Sequence, residues 1–209
     1  DRGVSLLTRN EIEKSFEKFT TALASAESLP EELGGSLIAK IQPKIREIEY
    51  LRHLDLGKKY FDANDWEAAI KQYEQALNLR DDTPVASDDN AVSLYANMAE
   101  AELFALINSA KDAFSQSQWK AAIAKYQEAI DLLDSKRQLL ERINPAEIQQ
   151  QLERIILRAR IVEFKQKADA DMEKGAYAKA ISSLEKVINA VVSSGLQKDK
   201  EFKAIINGT

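Results

Sequence analysis

The side chains able to do acid–base or metal chemistry are few in kind. One histidine, His53, stands beside 34 Asp and Glu, and there is no cysteine. His53 lies four residues after Glu49 and two before Asp55, so one carboxylate shares its face in a helix. A di-metal site in a helix bundle needs paired Glu-x-x-His motifs from two helices, and one histidine cannot supply them. Asp81-Asp82 and Asp88-Asp89 gather four carboxylates within nine residues. Calcium needs several oxygens converging on one point, usually around a glycine that permits the turn, and this stretch has Pro84 instead. Ser87, Asp88 and Asp89 read better as the N-cap and first-turn acids of a helix. The missing cysteine excludes disulfides, thiolate metal sites and thiol nucleophiles. The expectation is a protein that is not an enzyme and needs no metal or cofactor.

The elements that would carry any site must be helical. The chain has 209 residues, 44% hydrophobic and 30% charged, the balance of a folded globular protein. Only 7 Gly and 4 Pro occur, too few for the turns that an all-β fold needs every 8–12 residues. The net charge of −5 predicts no nucleic-acid partner unless the basic residues cluster. Between 136 and 167 eight basic side chains face four acidic ones, but the signs mix at helical spacing, as on an ordinary charged helix surface. No apolar run is long enough for a membrane span. The start at Asp1 without Met reads as an excised or processed piece of a longer protein, which a tether before Asp1 would also fit. The lack of cysteine favours an extracytoplasmic compartment over the cytoplasm.

An internal repeat organises the rest. Asn64-Asp65-Trp66-Glu67-Ala68-Ala69-Ile70-Lys71-Gln72-Tyr73-Glu74-Gln75-Ala76-Leu77 recurs as Ser117-Gln118-Trp119-Lys120-Ala121-Ala122-Ile123-Ala124-Lys125-Tyr126-Gln127-Glu128-Ala129-Ile130. A looser copy begins Gly175-Ala176-Tyr177-Ala178-Lys179-Ala180-Ile181 and carries Leu184, Val187 and Ile188. The apolar positions step by three and four, one face of a helix. The alanines allow two helix axes to approach closely. Trp66, Trp119 and Tyr177 take the same place in each copy and are expected to close a hairpin by packing in its core rather than to form a ligand ladder.

Each copy is preceded by a partner segment, and here the chain resembles the tetratricopeptide repeat. The small residue of that family's first helix appears as Gly57, Ala110 and Ala168, and its following aromatic as Tyr60 in the first copy alone. Its second-helix positions appear as Ala69, Tyr73 and Ala76, then Ala122, Tyr126 and Ala129, then Ala180, Leu184 and Val187. The spacing departs from the family: Trp66 to Trp119 is 53 residues and Trp119 to Tyr177 is 58, against about 34 in the standard repeat. Longer helices must fill the difference. The resemblance implies an all-α fold of antiparallel helical hairpins stacked as a right-handed solenoid.

The expected organisation is an N-terminal helical hairpin over 1–42, three elongated hairpins within 43–194 (about 43–80, 88–143 and 145–194), and a capping segment over 195–209. Thr8-x-x-Glu11 is a capping box opening the first helix, and Gly34-Gly35 with Pro43 predict a kink or a break before the first repeat. After Leu132 the second helix is expected to continue to Ile143. Asn144-Pro145 then reads as the N-cap and first turn of a helix reaching about Lys174.

The resemblance also implies where a partner would bind, since first helices of such hairpins line a peptide groove. The groove positions are Lys58 and Phe61, then Asn108, Lys111 and Phe114, then Lys165 and Met172. Of the five carboxylate-clamp positions of the chaperone-binding members, Asn108 matches, whereas Leu54, Lys58, Val162 and Gln166 stand at the other four. An apolar row with lysines beside it suits an amphipathic or extended segment carrying an acidic residue. The chain's own terminal segments could equally fill that row. The function expected is a non-catalytic scaffold that binds a protein or peptide. The alternatives are a regulatory or sensor domain of a multidomain enzyme and a homo-oligomerising module.

Overall fold

The computed structural model describes residues 9–80, 83, 88–195, 200 and 202. Among them are seven α-helices and no strand: α1 (Arg9–Glu27), α2 (Glu31–Asp62), α3 (Trp66–Arg80), α4 (Asp88–Ser115), α5 (Trp119–Ser135), α6 (Pro145–Glu173) and α7 (Tyr177–Ser193). Thr8, Asp81, Asp82 and Ser87 lie outside the described residues. The chain divides into two compact units, Asp1–Phe104 and Ala105–Thr209, and the boundary falls within α4.

In the first unit α1 packs on α2 and α2 on α3. The α1 positions 12, 16, 19, 23 and 26 share one face, and Ile12 and Ala26 are buried there. Arg52 of α2 ties the helices together, its Nε 3.0 Å from Glu13 Oε1 and its guanidinium 4.4 Å over the Phe16 ring. Of the kink or short helix expected near Gly34-Gly35 and Pro43, the short helix is absent: α2 runs unbroken from Glu31 to Asp62 with Pro43 inside it. Gly34 serves a close approach instead, because a Cβ there would sit 2.6 Å from the Ala26 carbonyl oxygen.

The core of this unit gathers Tyr50, Ala69, Tyr73, Ala76, Leu94 and Ala101. Tyr50 is buried, and among the described residues its Oη finds no hydrogen-bond partner. Burial raises its phenol above the usual 10.0, and the Arg80 charge partly opposes the shift. Tyr50→Phe removes this unpaired hydroxyl and should be neutral or stabilising by up to about 1 kcal/mol. The sign at high pH follows from linkage. Above about pH 10 the unfolded phenol ionises first, so stability present below pH 10 falls as pH rises through the raised value. The Phe variant should lose less stability than the parent over that range in urea melts. A variant weakened at neutral pH would show that the hydroxyl is paired after all.

In the second unit α5 packs on α6 and α6 on α7. Leu157, Ile161, Val187 and Val191 form a core that also takes Phe202 from the C-terminal segment. The continuation expected to Ile143 ends early: α5 stops at Ser135, and a 3-10 turn over Glu141–Ile143 leads to Asn144 at φ 53°. Buried Leu140 anchors that turn. Asn144 occupies the N-cap position before Pro145, but its side chain donates to Glu147 Oε2 at 3.0 Å rather than capping a backbone N–H.

The three repeat copies share one turn. Asn64, Ser117 and Gly175 each adopt positive φ, at 60°, 59° and 71°. Their N–H groups donate to Phe61, Phe114 and Met172, at 2.9, 3.0 and 2.9 Å. The next N–H groups, of Asp65, Gln118 and Ala176, reach back to Tyr60, Ala113 and Asp171 at 2.9, 2.9 and 2.8 Å. This is the left-handed helix ending for which glycine is the usual residue. Serine carries a Cβ into that conformation, at a cost of about 1–2 kcal/mol. Ser117→Gly should therefore stabilise the chain by about 0.5–1 kcal/mol after the extra flexibility of the unfolded glycine is counted. A destabilised variant in thermal melts would contradict the left-handed turn.

Candidate functional site

The shared turn fixes the expected groove residues, because Phe61, Phe114 and Met172 each stand two residues before the capping position at the end of a first helix. In the first unit Phe61 is half-buried, edge-to-face with Trp66 at 5.1 Å between ring centres, and Trp66 lies 5.0 Å from Phe104. Lys58, one turn before Phe61, is exposed.

In the second unit Phe114 is likewise half-buried and edge-to-face with Trp119 at 5.0 Å. Asn108 and Lys111 are exposed, Lys165 is half-buried, and Met172 is 44% exposed. Trp119 Nε1 donates to Gln166 Oε1 at 2.7 Å. Beside it a cleft of about 410 Å³ is lined by Ser117, Gln118, Trp119, Lys120, Ala121 and Glu163. Lys120 reaches Glu163 at 4.0 Å, but 90% of its side chain is exposed, and such a pair contributes little. A second cleft, of about 520 Å³, lies among α5, α6 and α7, where Arg160, Glu153 and Gln127 meet Leu157 and Ala190.

Phe61 and Phe114 each lean on the aromatic that opens the following helix. One feature departs from the expected arrangement. Tyr177, expected in a core like Trp66 and Trp119, is 67% exposed. Phe104 and Gln166, which complete the tryptophan contacts, could not be recognised as such from the repeat, because they come from helices outside each copy's own hairpin.

The groups exposed there are ammonium groups, amides and aromatic edges. His53 Nδ1 lies 2.8 Å from Gln72 Oε1, a contact that joins α2 to α3. Among the described residues no three His, Asp or Glu side chains gather as metal ligands. Within the basic segment Arg137 bonds Asp134 and Gln149 at 2.9 and 3.3 Å, and Lys136, Arg142, Arg154 and Arg158 also interact within the chain. Among the described residues no helix is long and apolar enough to cross a membrane. Fold and site define an all-helical protein with three equivalent helix–turn–helix endings. Comparison with known protein families, with curated proteins and with solved structures finds no match to this chain.

Proposed function

We propose that this chain is a non-catalytic helical-repeat scaffold of the tetratricopeptide kind, which binds an amphipathic or extended peptide along the first helices of its hairpins. The observation that carries the reading is the thrice-repeated turn, which sets Phe61, Phe114 and Met172 at one helical position. Lys58 and Lys111 stand one turn earlier and are exposed. An apolar side chain beside a lysine gives a peptide both an anchor and a charge to orient it. Small residues at the family's close-packing positions support the same reading, since Gly57, Ala69, Ala110, Ala122, Ala168 and Ala180 are all buried.

The test is selection from a peptide library followed by titration. Peptides that combine acidic residues with apolar ones at helical spacing should be enriched, and Lys111→Glu with Met172→Glu should weaken their binding at least tenfold. Both positions are exposed, so helicity and thermal midpoint should hold. Enriched peptides that bind the double variant as well as the parent would remove the groove reading.

A further inference from the structure

Arg160 combines two properties within the basic stretch 136–167. Among the described residues no hydrogen bond or ion pair holds its guanidinium, and it lines the cleft of about 520 Å³ among α5, α6 and α7. Gln150, Arg154, Leu157 and Arg160 recur at steps of three and four and so share one face of α6. α5 runs antiparallel to α6 along that face, because Trp119 meets Gln166 while Ile130 shares the cleft with Gln150 and Arg154. The last turn of α7 forms the other wall with Ala190 and Ser193. Ile130, Ile156 and Leu157 are buried and give the cleft an apolar floor. The acids nearest Arg160 in sequence are turned elsewhere: Glu153 accepts from Gln149 Nε2 at 3.1 Å, and Glu163 faces Lys120 at 4.0 Å. The serines of the α7 wall donate their hydroxyl protons back to the Ala190 and Val191 carbonyls, at 3.2 and 2.7 Å. Arg154 interacts within the chain, which leaves Arg160 as the cation at the apolar floor.

We infer that this cleft takes a small amphipathic anion, an apolar body ending in a carboxylate or phosphate group. The body lies over Ile130, Leu157 and Ala190, and the anionic oxygens meet the Arg160 guanidinium. The volume falls within the about 300–1,000 Å³ of small-molecule sites, which join an apolar lining to a few polar groups that fix orientation. A guanidinium presents paired N–H donors that match the oxygens of either group two at a time. Covering the apolar floor supplies affinity, and the cation selects the charged end. The cleft shares no residue with the peptide groove, so either reading can fail without the other.

The test is titration of the full chain with octanoate, octyl phosphate and neutral octanol, each below its aggregation threshold, followed by calorimetry. At least one anion should bind ten times more tightly than octanol or better. Octanoate alone would assign a carboxylate ligand, and octyl phosphate alone a phosphate. Arg160→Gln should lower anion affinity at least tenfold, to that of octanol, with octanol binding and helicity unchanged, since the side chain is exposed. Lys167→Gln, exposed further along α6, should leave every affinity unchanged and so control for net charge. Ala190→Phe should fill the cleft and weaken all three ligands. The inference is overturned by octanol binding as tightly as the anions, or by neither anion binding. Anion preference that survives Arg160→Gln, or is lost equally in Lys167→Gln, overturns it too, as does binding that Ala190→Phe leaves intact.

Discussion

Tyr126→Ala should lower the stability of the chain by about 3–5 kcal/mol, the range for removing a large aromatic ring from a packed interior. Tyr126 is 2% exposed, and Ala122 and Ala129, one helical turn to either side, are fully buried. These alanines have no methylenes with which to follow the lost ring, so the space cannot collapse cheaply. The loss should therefore sit toward the high end of large-to-small changes. Burial holds the Tyr126 phenol above its usual value, which reports the same dry surroundings. Tyr126→Phe keeps the ring and should cost far less. Denaturant melts of the two variants decide the matter: a loss under about 1 kcal/mol for the alanine would mean that α5 packs by a different face.

Gly57→Ala should destabilise by about 1–3 kcal/mol, as overpacking does in a tight interior. A Cβ at Gly57 would fall against Tyr73 Cε1 and 2.6 Å from Cδ1. The clash is with the body of a ring that is itself buried, so no flexible end can swing away and α2 must move off α3. The double variant Gly57→Ala, Tyr73→Leu tests the cause, since leucine is what the third copy carries at that position, as Leu184. The two changes should be less harmful together than the sum of each alone, a coupling expected only of residues in contact. Strict additivity would mean that the glycine acts through helix propensity alone.

The packing face of α3 and α5 was legible because its requirement is local. Ala69, Tyr73 and Ala76 declare a close-packed helix face through side-chain size at intervals of three and four, and that spacing survives without knowledge of any neighbour. The same holds for Ala122, Tyr126 and Ala129, and all six residues are buried. The start of α6 was legible for a similar reason, since Pro145 suits the first turn by its own fixed φ. Breaks were read less well, because a glycine or proline weakens a helix by an amount that packing can outweigh. Pro43 lies inside α2, and Gly34 is where α2 meets the α1 carbonyl end. At the other extreme, the run through Leu139 and Leu140 has helical composition, yet the chain turns there and buries Leu140.

By itself the sequence determined an all-helical chain and the face by which α3 and α5 pack, because these follow from side-chain size and hydrophobic spacing along one stretch. Tertiary structure decided which equivalent residues are used alike. Trp66 and Trp119 are covered because Phe104 and Gln166 arrive from the following helices, while Tyr177 at the same position is exposed. It likewise decided that Phe61 and Phe114 lean on those tryptophans. A residue's type fixes what it could pack against, but its exposure depends on which distant segment reaches it, and that is a property of the folded chain as a whole.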